Sequence, residues 1–364
     1  MVKSIGVAAL LSSFAVCASA TGMDAEDIVF QGKGVGSVLS SGGEQTTGLG
    51  GEQGCFYFDS GPSDPVSRPF DAVGINGVLP DIPVGLEVSR ENQDGSWSEW
   101  IPMEQHPFEG GRFWAKAVLP PAAPGRVRIR AKGTGTPEDR AMSFYGFEAF
   151  ERRQEAAGKE ASVEPEPAAT RVITRAEWGA KPAKATEPMS PYRITIHHTE
   201  GAYPASIEEG KREVRIIQDY HMNGRGWNDI GYQYLMDGLG NLYQGRPEKV
   251  LGAHVSGANS GNIGVSVMGN YMERKPNDAQ MDSLKSFLPV LARRYGIPST
   301  KLYAHRELGS SDCPGDNLFA KMPELRKALD GREGGLVARL ATAPLSDSLD
   351  GYAACFAGDV FDGR

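Results

Sequence analysis

The sequence predicts two regions of different class: an all-β, sandwich-like domain, followed by an α/β domain with helices flanking a central mixed β-sheet. Three observations predict this. Residues 24 to about 150 place short β-branched and aromatic runs between Gly/Pro turns. Residues 151–170 turn charged and then Pro/Ala/Glu-rich, which is linker composition. From residue 171 to about 330, strand-like and helix-like periodicities alternate. A chain of 364 residues also exceeds the usual size of one domain.

The N-terminus reads as a secretory signal over residues 1–20. Lys3 supplies the positive start, Ile5 to Val16 the apolar stretch and Ala18-Ser19-Ala20 the small-residue cleavage site, so a secreted or periplasmic protein cut after Ala20 is expected. The apolar stretch is shorter than the roughly 20 residues needed to cross a bilayer, and no other stretch qualifies. Within residues 21–150, strands are expected at Gly85–Arg90 and Ser96–Trp100 about the turn Asn92–Gly95, then at Arg112–Val118 and Arg126–Ala131. Residues 34–54 are Gly/Ser-rich and read as a loop. Trp97, Trp100 and Trp114 admit two readings: a glycan-binding face, or the core of a structural domain that positions or shields a cleft. Aromatics on strands are more often core, which favours the second.

In residues 171–330 a helix is expected from Ser206, with Glu209 three positions on. Val214, Ile217 and His221 share one of its faces, and Asn223-Gly224 ends it. A second helix starts at Asn277 with Gln280, carries Met281, Leu284, Leu288 and Leu291, is kinked by Pro289 and stops at Gly296. Tyr232–Met236 and Asn241–Gln244 form a hairpin about Asp237–Gly240, and Ile263–Met268 forms an apolar strand. Residues 331–364 form a tail without catalytic signature.

Charge is unevenly spread. Residues 21–170 hold 13 basic and 23 acidic side chains, a net of −10, whereas residues 171–330 hold 21 and 18, a net of +3. That excess is too small, and too scattered, for nucleic-acid binding. Of the four cysteines, Cys17 leaves with the signal. If Cys313 is committed to a metal, Cys55 and Cys355 remain as an even pair that an oxidising compartment could join.

Chemistry concentrates in two segments. Arg193-Ile194-Thr195-Ile196-His197-His198-Thr199 is a β-branched run ending in two histidines, and Tyr303 to Gly315 carries His305 and Cys313. Two imidazoles and a thiolate suit zinc, and three protein ligands leave a coordination position open, as in catalytic zinc sites. Neighbouring strand residues point to opposite faces, so only one of His197 and His198 can be a ligand, and periodicity does not choose between them.

Six segments, in order, resemble the peptidoglycan recognition protein family, which includes zinc N-acetylmuramoyl-L-alanine amidases of phage. They are His197-His198-Thr199, Trp227 to Tyr234, Tyr243-Gln244-Gly245-Arg246, Gly252-Ala253-His254, Asn262 to Ser266 with Gly269-Asn270-Tyr271, and His305 to Gly315. The resemblance covers residues 171–330. It implies that His197, His305 and Cys313 hold zinc, that Tyr232 is the catalytic tyrosine and that peptidoglycan or a muropeptide is the partner. Non-catalytic members commonly replace the cysteine with serine, so Cys313 implies an enzyme. Ser311 stands where phage members usually have Lys and recognition proteins Thr. Its hydroxyl can donate to an oxyanion but brings no positive charge. The groove-bordering segment of the family makes His254 and Asn259 candidates for contacting the muramyl peptide, and Arg246 for its acidic groups. Asp219, Asp229 and Glu307 could orient a ligand imidazole. The expected activity is hydrolysis of the amide between the lactyl group of N-acetylmuramic acid and L-alanine. The alternatives are recognition without cleavage and cleavage of soluble anhydromuropeptides.

Overall fold

The computed structural model describes residues 25–28, 30, 55–134, 142–152 and 172–331. The expected signal, the 34–54 segment, residues 153–170 of the linker and the tail beyond Gly331 lie outside the described residues. So does the Cys55–Cys355 pairing, since Cys355 and the Cys55 side chain are not among them. Among the described residues, no helix is long and apolar enough to cross a membrane.

Residues 25–150 contain β1 (Ala25–Asp27), β2 (Cys55–Asp59), β3 (Val66–Val78), β4 (Val84–Arg90), β5 (Ile101–Pro102), β6 (Glu104–Pro107), β7 (Arg112–Gly125), β8 (Val127–Thr134) and β9 (Ser143–Phe150). They pair antiparallel in two sheets, β1-β9-β3-β7-β6 and β2-β8-β4-β5. One apolar cluster joins the sheets, with Val73, Ile75, Phe113 and Phe147 from the first and Leu86, Val88, Ile129 and Ala131 from the second. The expected turn at Asn92–Gly95 is present, but the strand expected at Ser96–Trp100 is irregular, with a single bridge between Glu91 and Trp97. Two backbone bonds cross the turn, from the Asn92 N–H to the Ser96 carbonyl and from the Ser98 N–H to the Arg90 carbonyl. Side chains take other places in the ladder: Asp94 accepts from the Ser96 N–H, and the Ser98 hydroxyl accepts from the Arg90 N–H. Trp97 and Trp100 are half-buried, with the Arg128 and Arg130 guanidinium groups 4.1 Å from their respective ring centres.

Residues 172–331 build one mixed sheet in the order β10-β13-β12-β14-β11-β15. Its strands are β10 (Val172–Ile173), β11 (Arg193–His198), β12 (Tyr234–Met236), β13 (Leu242–Gln244), β14 (Asn262–Val267) and β15 (Leu302–Ala304). Only β12 and β13 pair antiparallel, forming the expected hairpin, in which Asp237 accepts the N–H groups of Leu239 and Asn241. The helices are α1 (Arg175–Trp178), α2 (Ile207–Asp219), α3 (Asp278–Tyr295), α4 (Asp316–Phe319) and α5 (Met322–Leu329). Both expected helix starts are present. Ser206 accepts from the Glu209 N–H, and Asn277 and Gln280 cap each other reciprocally before Gly296 ends α3 in the left-handed region. One face of the sheet packs Ile194, Ile196, Val265 and Leu302 against Leu284 and Leu288 of α3 and Leu325 of α5. The other packs Leu235 and Tyr243 against Trp178 and Val214 of α1 and α2. Beyond Asp219, α2 opens into a π-helical turn, Tyr220–Gly224, where the sequence predicts an ordinary helix end.

The two regions meet across α2. Ala72, Val73, Gly74 and Ile75 of β3 are all buried, against the alternation of a sheet with one wet face, because the second face of this sheet sits on α2 and the π-turn. At Gly74 an added Cβ would fall 2.2 Å from the Tyr220 hydroxyl, so only glycine admits that phenol. Trp114 of β7 is fully buried here and donates to Asp219 at 3.2 Å, which removes it from any glycan-binding face. Arg112 of β7 forks onto Glu213 of α2 at 2.6 and 3.2 Å and also donates to the Gly77 carbonyl at 2.7 Å. Both side chains are buried, so removing one partner strands the other's charge. Arg112→Met should lower unfolding free energy by about 3 kcal/mol, and the double variant Arg112→Met/Glu213→Leu should regain most of it. Urea titrations of the two variants check this.

Candidate metal centre and cleft

In open α/β sheets, functional groups collect at the carboxyl ends of parallel strands. β11 and β15 are adjacent and parallel, and their ends deliver His197 and His305 to the same place. The intervening alternation resolves the histidine pair. Ile194 and Ile196 face the α3 side, while Thr195 and His197 take the opposite face, so His197 points to the cleft. Cys313 arrives on the loop after β15, which is closed by the Arg306 N–H on the Cys313 carbonyl at 2.9 Å. One donor atom from each of His197, His305 and Cys313 lies within 4.8 Å of the others. His197 Nδ1 and Cys313 Sγ are 3.5 Å apart.

The tautomer of His197 follows from its neighbours. His254 Nε2 lies 3.1 Å from the Asn262 carbonyl, which can only accept, so that nitrogen carries the proton. In a neutral ring Nδ1 is then an acceptor, and it lies 3.0 Å from His197 Nε2. His197 donates through Nε2 and keeps its Nδ1 lone pair beside the thiol. Both rings are held neutral. Burial, then the nearby His305 and other imidazoles, pushes His197 well below its ordinary value. Burial also brings His254 to about 3 and, with His198 as the further cause, His305 to about 4. The His198 N–H points at Cys313 Sγ at 3.3 Å, which favours thiolate. Two neutral imidazole nitrogens and a sulfur that can shed its proton are the donors a borderline-soft divalent ion requires.

His254 fits because position 264 has no side chain; a Cβ there would approach its ring to 2.8 Å. The expected substrate contacts therefore divide. His254 lines the cleft while also holding His197, but Asn259 turns inward to accept the N–H groups of His254 and Val255, each at 2.8 Å. Arg246 is likewise buried, donating to the carbonyls of Ile230, Leu251 and Asp229. Neither Asn259 nor Arg246 is among the described residues that line the cleft. Tyr232 lies beside the donors, its ring centre 5.2 Å from that of His197. Burial first, then the charges of Cys313 and Glu148, raises its phenol far above the ordinary range, so it is protonated throughout the physiological range. Ser311 also lines the cleft and accepts the Cys313 N–H at 3.1 Å. Asp229 pairs with Arg175 and accepts from Gln218, Asp219 pairs with Lys181 and accepts from Trp114 and Asn223, and Glu307 pairs with Arg326 and accepts the Ala304 N–H, so these carboxylates are engaged by groups other than a ligand imidazole.

Sequence reasoning missed several members of the cleft. His198 sits between two partners, accepting the Tyr271 N–H at Nδ1 and facing Glu200 with Nε2 at 3.3 Å. His221, read as a helix-face residue, accepts the Gly231 N–H at Nδ1, 3.0 Å, and lines the cleft together with Glu200, Arg225 and Trp227. Arg68 and Glu148 line it too, although they belong to β3 and β9. Apart from the Asn-Gly that ends α2 irregularly, no local pattern marks these residues.

A family model described as N-acetylmuramoyl-L-alanine amidase matches residues 187–316. Peptidoglycan-recognition protein SC2 of Drosophila melanogaster is 39% identical over 151 residues, covering 41% of this chain and 82% of that protein. The N-acetylmuramoyl-L-alanine amidase of Mus musculus is 36% identical over 154 residues, covering 40% of this chain and 29% of that protein. The solved structure of Drosophila PGRP-LB aligns at 32% identity with a TM-score of 0.40, over 42% of this chain and 92% of that one. The mixed sheet with its helices, the family model and the sequence relatives define the class: an α/β amidase domain with a peptidoglycan-related function. The chain belongs to the peptidoglycan recognition protein and N-acetylmuramoyl-L-alanine amidase family.

The neutral imidazoles make the metal-free fold acid-sensitive. Unfolded, His254 and His305 titrate near 6.5; folded, they do so near 3 and 4. Between those values the unfolded chain binds more protons, so stability is lost as pH falls from about 6.5 towards 4. Thermal melts of the chelated protein across that range check this, and His254→Gln should flatten the slope.

Proposed function

We propose that the protein is a zinc-dependent N-acetylmuramoyl-L-alanine amidase that hydrolyses the lactyl-amide bond between N-acetylmuramic acid and L-alanine. The reading includes export after loss of residues 1–20, residues 21–150 as an accessory β domain and residues 171–330 as the catalytic domain. The observation that carries it is the convergence of two neutral imidazoles and a thiol within 4.8 Å on a cleft floor, beside a protonated tyrosine.

His197, His305 and Cys313 would hold the ion. Bound there, zinc supplies Lewis acidity toward the scissile carbonyl and acidifies the attacking water. The remaining work belongs to side chains. Tyr232 keeps its proton and can hand a hydrogen bond to charge developing on the carbonyl oxygen or on the departing nitrogen. Ser311, anchored next to Cys313, offers a hydroxyl to the same oxyanion. Asn259 and Arg246 keep the 246–259 segment in shape, which places His254.

Zinc-loaded protein should release stem peptides bearing an N-terminal alanine from purified peptidoglycan, detected by mass spectrometry. Chelation should stop the release and zinc restore it. Cys313→Ser should abolish both metal retention and release. Tyr232→Phe should retain the metal and lower kcat by about a hundredfold. Metal-replete protein that binds wall and releases nothing would replace the amidase reading with recognition alone.

A further inference from the structure

Glu148 lies on β9, in the region that family resemblance does not cover, yet it lines the cleft. Its Oε2 accepts the Tyr220 hydroxyl at 3.1 Å and a hydrogen bond from Arg225 Nη1. These two residues bracket the π-turn. Arg225 is buried, with its guanidinium 4.3 Å from the Phe150 ring centre on β9 and 4.9 Å from that of Trp227. The turn carries His221, whose ring stacks near Trp227 at 4.6 Å and whose Nδ1 holds the Gly231 N–H. The next residue is Tyr232, 5.7 Å ring to ring from His221. Contacts therefore run without a gap from a β9 carboxylate, through Tyr220 and Arg225, to the loop that sets the tyrosine.

A buried guanidinium is costly to leave without its counter-charge. Without Glu148, Arg225 gains by moving toward the cleft and water, and both Trp227 and the π-turn are packed on it. A π-turn already departs from regular helical bonding, which makes its geometry sensitive to such outside support.

We propose that Glu148 is a positioning residue for the cleft: the β-rich region supplies the carboxylate that fixes the π-turn, and through His221 and Gly231 it fixes Tyr232. That makes β9 part of the hydrolytic site rather than of a separable wall-binding module. The proposal rests on the amidase reading for its catalytic consequence, while its structural content stands apart from it.

The test uses the full zinc-loaded chain carrying Glu148→Gln, which keeps shape and removes charge, with Glu148→Asp as the conservative variant. Arg112→Met is the control, since it weakens the same junction without touching the π-turn. On a soluble muramyl peptide, Glu148→Gln should lower kcat by about tenfold or more with KM and zinc content unchanged. Amide hydrogen exchange across residues 220–232 should speed up, and Glu148→Asp should recover part of both losses. Arg112→Met should lower the melting temperature while leaving kcat and exchange over 220–232 as in the parent. Parental kcat and exchange in Glu148→Gln would overturn the proposal, as would an equal loss in both variants, which would mean that docking alone matters. If the parent itself hydrolyses nothing, the amidase reading falls, and the exchange pattern alone decides the role of Glu148.

Discussion

The cleft depends on one hydrogen-bonded line of neutral imidazoles, from the Asn262 carbonyl through His254 to His197 and on to Cys313. Its direction is forced at one end, because a carbonyl has no proton to give. Each ring then has a single tautomer available, and the lone pair that remains faces sulfur. Water would blur this by charging either ring, and burial removes that option at both. Much of the nearby sequence serves the line. Gly264 leaves room for the His254 ring, Asn259 fixes the backbone that carries it, and the register of β11 against β14 sets Asn262 opposite Arg193, four residues before His197.

Strand order explains why donors so distant in sequence meet. β11 and β15 are neighbours separated by more than a hundred residues, and their parallel pairing places both chain exits on one edge of the sheet. The third donor needs no strand, since the loop after His305 is pulled closed by Arg306 on the Cys313 carbonyl. The site is therefore a property of the sheet rather than of any single segment, and the hydrophobic packing of both sheet faces is what keeps its atoms in range.

That arrangement divides what the chain discloses on reading. Helix starts were legible at Ser206 and Asn277 because capping is a local exchange of hydrogen bonds over three residues. The clustering of His197, His305 and Cys313 was legible because histidine and cysteine in strand-end and Pro-Gly contexts are chemically distinctive. What Arg246 does was not: a guanidinium looks the same in sequence whether it meets a carboxylate of a ligand or three backbone carbonyls. Ser96–Trp100 misled for a related reason, since Asp94 and Ser98 offer the backbone partners that a strand pattern cannot reveal. Glu148 was beyond reach altogether. Nothing near it in sequence marks it, and its meaning appears only when β9 is laid beside the π-turn.

The junction itself argues against loose tethering. The opposite net charges of the two regions would favour contact in many orientations, but two ion pairs, one buried and one joining a buried guanidinium to a half-buried carboxylate, are more particular. Arg112 of β7 meets Glu213 of α2, whereas Glu148 of β9 meets Arg225 beyond α2, so each region gives one cation and one anion and the polarity reverses between the two pairs. A slide or rotation that brought like charges together beside the buried Arg225 or Glu213 would be penalised. Gly74 adds a steric condition, because the Tyr220 phenol needs the space that its missing side chain leaves. Crossed polarity and a glycine notch together select one docking geometry. In that geometry Glu148 and Arg68 reach the same cleft as His197, His305 and Cys313.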